Sequence, residues 1–482
     1  MSRFIETSTM IPLIDIPEIV KYYAPHFQDL FSTSEYSLFQ KYISGLIVSE
    51  NKAVDAINRL FVIDVKNQST LNRFLTASNY EVTDLNEKRL AIMNQQAETK
   101  FKDGGVLGLD DTMLIHYGKN FDQIAFLYDH STNSHVWAHN LVNLHYSDDQ
   151  VDYPTFFELW KPLQVDKLEE ALRAIDAIKP KKESLKETST KKWKQHLLYL
   201  SKKHQDEENI QQVYRNKIVI GQDLLRQFFE QYATLDISIS FDKWFTCPAF
   251  CKFIDEELQR AYVAGIKSDE KILLRGSVQI SVSDFVKQLH EEQQTKIEQG
   301  VTKNKLPFVK CTIKYKGKKE VYYNYCKVHH IKGYGRQKLL ISHKREDLSD
   351  TARTFMGNRR HWRVQQMTKV GRHRWPVEEY HKEGKAEGLD QYQVRDFKAI
   401  NRHVALVALV YSLLQHARYD NALLNNLQSQ LDTDIEGSLA YWRRTTQAQA
   451  VWMLVQWIDT AIKQEMSLQQ IMQTLLPSFN IA

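Results

Sequence analysis

The segment Arg374-Trp375-Pro376-Val377-Glu378-Glu379-Tyr380-His381-Lys382-Glu383-Gly384-Lys385 sets a carboxylate in a row of cations. Pro376 suits the first position of a helix, where its missing N–H leaves nothing unsatisfied. Glu378, Lys382 and Lys385 then follow at spacings of four and three on one face of that helix, with Arg374 just upstream. A carboxylate so placed can hold a divalent metal while its neighbours hold phosphates, which points to phosphodiester chemistry. Two further acids stand out by position. Asp111 lies within or at the end of the apolar run from Val106 to Ile115, and Asp242 closes Ile237-Ser238-Ile239-Ser240-Phe241. Acids at such places can converge on one spot, whereas acids on helix surfaces face water. In-line displacement at phosphorus is served by two hard cations about 3.5–4 Å apart, so no protein nucleophile is needed. Accordingly, no Ser/His/Asp arrangement or phosphate-cradling glycine loop is conspicuous, and Gly333-Tyr334-Gly335-Arg336 reads as a turn. Asp110 competes with Asp111 for the first position. Glu379 competes less well with Glu378, because it leaves the lysine face.

These acids need elements to carry them. Residues 1–100 read as helices, with Tyr36, Phe39, Tyr42, Ile43 and Leu46, and then Leu71, Phe74 and Leu75, at helical spacing. After Gly104-Gly105, three strands are expected as a simple meander: Val106 to Ile115, Gln123 to Tyr128 and His135 to Val142. A helical stretch is expected from about Phe156 to Ile178. Residues 179–208 form either an exposed basic helix or a flexible arm. Beyond Asp242, a helix from about Pro248 to Arg260 and a strand from Tyr262 to Lys267 are expected. Val309, Cys311, Ile313 and Tyr315 alternate with Lys310, Thr312, Lys314 and Lys316, a period of two with lysines on one face. Gly317-Lys318 can turn this strand into partners at Val321 to Val328 and Lys338 to Ser342. From Pro376 onward the chain reads as helix nearly to its end, Val377 and Tyr380 facing inward.

Composition agrees with a folded, multi-domain chain. Its 482 residues are 43% hydrophobic and 11% aromatic, with 10 Pro and 17 Gly, which favours helices with a limited sheet. The net charge is only +5, but residues 301–345 carry 13 Lys and Arg against the single acid Glu320. Residues 351–403 carry 12 against 6. Concentrated positive charge on an otherwise balanced chain implies a polyanionic partner. Cys247, Cys251, Cys311 and Cys326 are too few for a disulfide scaffold and read as buried thiols, or as zinc ligands supplemented by His329, His330 or His343. No signal-peptide pattern follows Met1-Ser2-Arg3, and the apolar run from Val404 to Leu414 is too short to span a bilayer, so a cytoplasmic protein is expected.

Leu109-Asp110-Asp111-Thr112, Phe241-Asp242-Lys243-Trp244 and Arg374-Trp375-x-x-Glu378-x-x-x-Lys382-x-x-Lys385, followed by Gly388-Leu389-Asp390-Gln391-Tyr392, together resemble insertion-sequence transposases of the DDE type. The resemblance covers roughly residues 105–410 and is closest to the branch with a β-strand insertion before the glutamate. It implies an α/β fold, an RNase H-like mixed sheet flanked by helices. Five regions follow: a helical, DNA-binding N-terminal domain (1–103), the first part of the catalytic core (104–270), a basic β-rich insertion (271–360), the glutamate-bearing end of the core (361–415) and a helical C-terminal region (416–482). It further implies Asp111, Asp242 and Glu378 as ligands of two Mg²⁺ ions, with Mn²⁺ able to substitute. Asp111 is preferred to Asp110 because the family's acid directly precedes a threonine. The family signature runs Tyr, Arg, Glu, Lys; Arg374, Glu378 and Lys385 match it, and Gly371 stands at the tyrosine position. The implied activity is cleavage at the ends of an insertion sequence and strand transfer of 3′-hydroxyl ends into target DNA, by a homodimer assembled on terminal inverted repeats. Arg374, Lys382, Lys385, Arg372, Lys314 and Lys316 are the expected DNA contacts, Lys382 either on phosphate or paired with Glu378. Trp244, Trp362 and Trp375 either stack an unpaired base or pack. The alternative is a catalytically reduced DNA-binding protein of the same fold.

Overall fold

The computed structural model describes residues 11–274, 278–431 and 439–479. The N-terminal region is helical, as its periodicity predicts. Ser32 caps the Thr33–Val48 helix by accepting from the Glu35 N–H, while the Glu35 carboxylate accepts from the Ser32 N–H at 3.0 Å. Leu71, Phe74 and Leu75 form the buried stripe of the Gln68–Thr76 helix.

Among the described residues, a twelve-stranded mixed sheet follows. Its strands are β1 (Val106–His116), β2 (Ala125–Asp129), β3 (Ser134–Ser147), β4 (Asp152–Trp160), β5 (Ser238–Phe241), β6 (Tyr262–Gly265), β7 (Lys271–Leu273), β8 (Gln279–Ser281), β9 (Val309–Tyr315), β10 (Lys318–Ile331), β11 (Gly335–His343) and β12 (Arg353–Gly357). The first three strands do not make a simple meander. The long β3 lies between β1 and β2, antiparallel to both, and continues into pairing with β4. Strand β4 replaces the first part of the helix expected from Phe156; the helix there is only Val165–Ala174. The reason is burial on both faces. The Lys217–Gln231 helix covers one side of β4 and the Trp375–Ala386 and Phe397–Ala417 helices the other, so Phe156, Phe157 and Leu159 lose the alternation that marks a half-exposed strand.

Strands β1, β5 and β6 run parallel. The basic insertion joins them directly: β12 pairs antiparallel with β6, and β11, β10, β7 and β8 continue outward, with β9 hydrogen-bonded to β10. Cys311, Ile313 and Tyr315 are buried while Lys310, Thr312 and Lys314 are exposed, as the alternation predicts. The turn is one residue earlier than expected, at Lys316-Gly317, both with positive φ (44° and 79°). The insertion also holds a helix, Val282–Glu298, buried through Val282, Phe285, Leu289 and Gln293.

Residues 165–213 form a side module of short helices with its own small core of Leu168, Leu172, Trp193, Leu197, Leu200 and Ile210. The expected basic segment is therefore mostly helix, Ser184–Thr188 and Thr190–Lys203, packed by Trp193. The Phe397–Ala417 helix is, among the described residues, the one long and apolar enough to cross a membrane; 83% of its apolar window is buried inside the protein.

Candidate active site

Leu109 of β1 is in register with Phe241, the last residue of the parallel β5, and the residue after each is an aspartate. Strand geometry therefore sets Asp110 beside Asp242. Successive side chains on β1 point to opposite faces. Gly108 lies against Val377 of the Trp375–Ala386 helix, whereas Leu109 meets Gly221 of the Lys217–Gln231 helix. Asp110 thus shares the face covered by the helix that carries Glu378, and Asp111 points the other way. Burial of Val377 and Tyr380, both fully excluded from solvent, sets that helix's rotation and turns Glu378 toward the strand ends.

The result is a cleft of about 480 Å³ lined by Asp110, Asp242, Glu378 and Arg374, with Lys243, Arg353, Arg372, Trp375 and Gly371 around them. One Asp242 carboxylate oxygen accepts from the backbone N–H groups of Trp244 (2.8 Å) and Phe245 (3.3 Å), which orients the side chain at the strand end. Gly265 of β6 permits this turn to close: a Cβ there would sit 3.0 Å from the Lys243 nitrogen. Arg374 bridges the acids across the cleft, Nη2 at 2.6 Å from Glu378 Oε1 and Nη1 at 3.5 Å from Asp110 Oδ2.

The electrostatics follow from that arrangement. Burial, then the neighbouring Asp242, push the Asp110 carboxyl up to about 8, with Arg374 opposing them. Burial also raises Asp242, against the two backbone N–H groups and Arg374. Two carboxyls on adjacent strands are thus short of positive charge, which suits a hard divalent ion bound by one or two carboxylates and otherwise by water and phosphate. Among the described residues, no group of three or more His, Cys, Asp or Glu is arranged to hold a metal ion. The Arg374 guanidinium, between Asp110 and Glu378, keeps the third acid with itself.

The expected residues are only partly assembled. Asp242, Glu378, Arg374 and Arg372 line the cleft. Asp111 does not: on the opposite face it pairs with Lys217 Nζ at 2.8 Å and accepts from Asn140 Nδ2 at 2.7 Å. Asp110 takes its place, the strand's period of two overriding the threonine cue. Arg372 bonds Glu320 at 3.2 Å and stacks on Tyr315 at 3.9 Å. Lys316 leaves the lysine row, because its turn conformation aims it inward to Asp152 at 2.6 Å. Lys314 and Lys382 are exposed, Glu378 pairing with Arg374 rather than Lys382, and Lys385 stands 4.0 Å from Asp390. Trp244 lies under Lys217 (4.2 Å), and Trp375 is half-exposed with Arg353 over it at 5.7 Å. Sequence reasoning gave no role to Lys243 or Arg353. Lys243 adjoins Asp242, but Arg353 comes from β12, whose approach depends on sheet order.

Comparison with known protein families gives no matching family, and comparison with curated proteins gives no match.

Proposed function

We infer that the protein is a metal-dependent DNA nuclease and strand transferase of the insertion-sequence transposase kind. The observation that carries this reading is the juxtaposition of Asp110 and Asp242 on adjacent parallel strands with Glu378 and Arg374 across one cationic cleft. The strand order β4-β3-β1-β5-β6, with only the last three parallel, supports an RNase H-like core. Asp110 and Asp242 are the carboxylates that would hold divalent ions, joined by Glu378 once Arg374 lets it go. Such ions, when bound, supply a nucleophilic water or DNA 3′-hydroxyl and neutralise charge on the attacking and leaving oxygens. Arg374, released onto substrate, suits two-pronged capture of a phosphate, and Lys243 and Arg353 add point charges along the cleft. Lys310 and Lys314 are exposed on the face of β9 opposite Cys311, Ile313 and Tyr315, a further positive surface on the insertion sheet. A homodimer on two DNA ends completes the reading.

A supercoiled-plasmid nicking assay with Mg²⁺ or Mn²⁺ tests it. Wild type should nick, and Glu378→Gln and Asp110→Asn should not; equal nicking by all three sinks the assignment. The Arg374–Glu378 ion pair favours one second reading, a DNA-binding protein whose acids are held closed. In that case salt-dependent DNA binding persists and no variant, wild type included, cuts.

A further inference from the structure

The β9–β10 hairpin ends in a turn whose lysine points into the core. At Lys316, with φ 44°, Asn or Gly would turn the chain with less strain, so what the lysine adds is its reach. Its Nζ stands 2.6 Å from Asp152 Oδ2 at the start of β4, 164 residues away in the chain. Asp152 is buried, and it also accepts from the Tyr411 hydroxyl at 2.8 Å and from His145 Nε2 at 3.1 Å. Burial works to raise the Asp152 carboxyl, but Lys316 and then His145 outweigh it and keep the group ionised. His145 in turn stacks on Tyr380, 5.2 Å between ring centres, on the buried side of the Glu378 helix.

Tyr315, one residue earlier, reaches the junction where the Val364–Arg372 helix gives way to the Trp375–Ala386 helix. Its ring lies under the Arg372 guanidinium at 3.9 Å and meets the His373 ring at 4.8 Å. His373 shares a hydrogen bond of 2.6 Å with Ser147 Oγ of β3, and Arg372 is held by Glu320 of β10 at 3.2 Å. Asn324 Nδ2, also of β10, donates to Thr368 Oγ1 at 2.7 Å. Arg372 lines the cleft, and the residue after His373 is Arg374. A charge pair drawn out of water adds little net stability, because desolvation offsets its attraction and apolar side chains would pack as well. What such a pair supplies is registry, since it tolerates one geometry only. We propose that Tyr315 and Lys316 are positioning residues: the hairpin tip straps the helix junction to β3 and β4 and so sets where Arg374 and Glu378 stand. Neither residue lines the cleft. The hairpin's lysines thus part in role, Lys314 facing solvent beside Lys310 and Lys316 working inward. A misplacement of about 1 Å can cost a reacting group about a hundredfold in rate, so a strap outside the cleft is enough to govern it. This role rests on the nuclease reading above and adds how the insertion controls that site.

Lys316→Met combined with Asp152→Asn in the full-length protein tests this, since it removes both charges and leaves no unpaired ion inside. A single cooperative urea transition verifies folding. Hydrogen exchange across residues 364–386 should quicken about tenfold or more, while the Gln68–Thr76 helix exchanges as in wild type. Plasmid nicking with Mg²⁺ should lose about 10- to 100-fold in kcat with the KM for DNA kept, the split a lost DNA contact would not give. Lys316→Arg, which keeps charge and reach, should recover most of both. Lys314→Met should instead weaken salt-dependent DNA binding and leave exchange across 364–386 unmoved. Should the double variant unfold, Tyr315→Leu, which keeps an apolar side chain under Arg372, carries the same two readouts. The proposal is overturned if the folded variant exchanges like wild type across 364–386, or nicks at the wild-type kcat. Exchange is scored apart from nicking. Quickened exchange in a protein whose wild type does not nick removes only the nuclease reading, and Glu378-dependent nicking unaltered by the double substitution removes only this one.

Discussion

Asp110 and Asp111 are neighbours in the chain and strangers in space. The first lies 15% exposed on the cleft side of β1, close to Arg374; the second pairs with Lys217 behind the sheet. Asp110→Asn should therefore abolish plasmid nicking, by about a hundredfold or more, since even groups that merely support a metal's ligands are worth 10–100-fold. Asp111→Asn should leave most of it. The opposite ranking would return the first position to Asp111. Arg374 yields a second expectation. On the proposed reading its guanidinium would compete with a cation for Glu378 and Asp110, so Arg374→Gln should bind Mg²⁺ about three- to tenfold more tightly than wild type, as for a partly exposed ion pair. Thermal shift against Mg²⁺ concentration reads this directly; an unchanged midpoint would mean that the bridge does not gate the acids.

At the scale of elements, the side module at residues 165–213 depends on one carboxylate. Glu169 accepts from Trp193 Nε1 (2.9 Å), Lys186 (2.9 Å) and Arg173 (2.9 Å). Burial alone would raise its carboxyl, but these partners outweigh it and hold the group at about 2 instead of the ordinary 4.5. A depressed carboxyl stabilises the fold above its unfolded value and loses that contribution as pH falls through the folded one. The module should accordingly loosen between about pH 4.5 and about 2. Glu169→Gln should loosen it already at neutral pH by about 1 kcal/mol, since Arg173 and Lys186 are largely solvated. Hydrogen exchange would show protection of the Thr190–Lys203 amides falling roughly fivefold while the central sheet is unaffected. This module was legible only as a stretch of charge, because Trp193, Leu197 and Leu200 are sparse among lysines. The lysine-faced β9 and the Gln68–Thr76 helix were legible outright, each having one solvated face and thus a clean period.

Across the whole molecule, one continuous core joins the N-terminal helices, the sheet and the Phe397–Ala417 helix. Polar ties reinforce it. Arg402 donates to the carbonyls of Leu75, Ser78 and Tyr80, Arg89 reaches Ser412 Oγ at 2.6 Å, and Tyr42 and His403 share a hydrogen bond of 2.7 Å. Arg402→Met would strand three buried carbonyls and should cost about 3 kcal/mol or more. Urea unfolding should show the loss as a lower midpoint in one transition followed by both far-ultraviolet dichroism and tryptophan fluorescence. Separate transitions for the N-terminal helices and the rest would contradict a shared core.

Local chemistry along the chain determined much: the strands that carry or lead into the acids, the helix bearing Glu378, the lysine row at Lys310 and Lys314, and the buried stripes of the N-terminal helices. Each of these depends on spacing between near neighbours, where the period of a helix or strand is set by backbone geometry alone. Tertiary structure decided what depends on facing. Which of two adjacent aspartates enters the cleft follows from the helix that packs over Gly108. The order in which β3 displaces β2, the strand character of β4 between helices on both sides, and the reach of Arg353 from the insertion to Trp375 are contacts between residues far apart in sequence. No local pattern encodes which partner a buried face will meet.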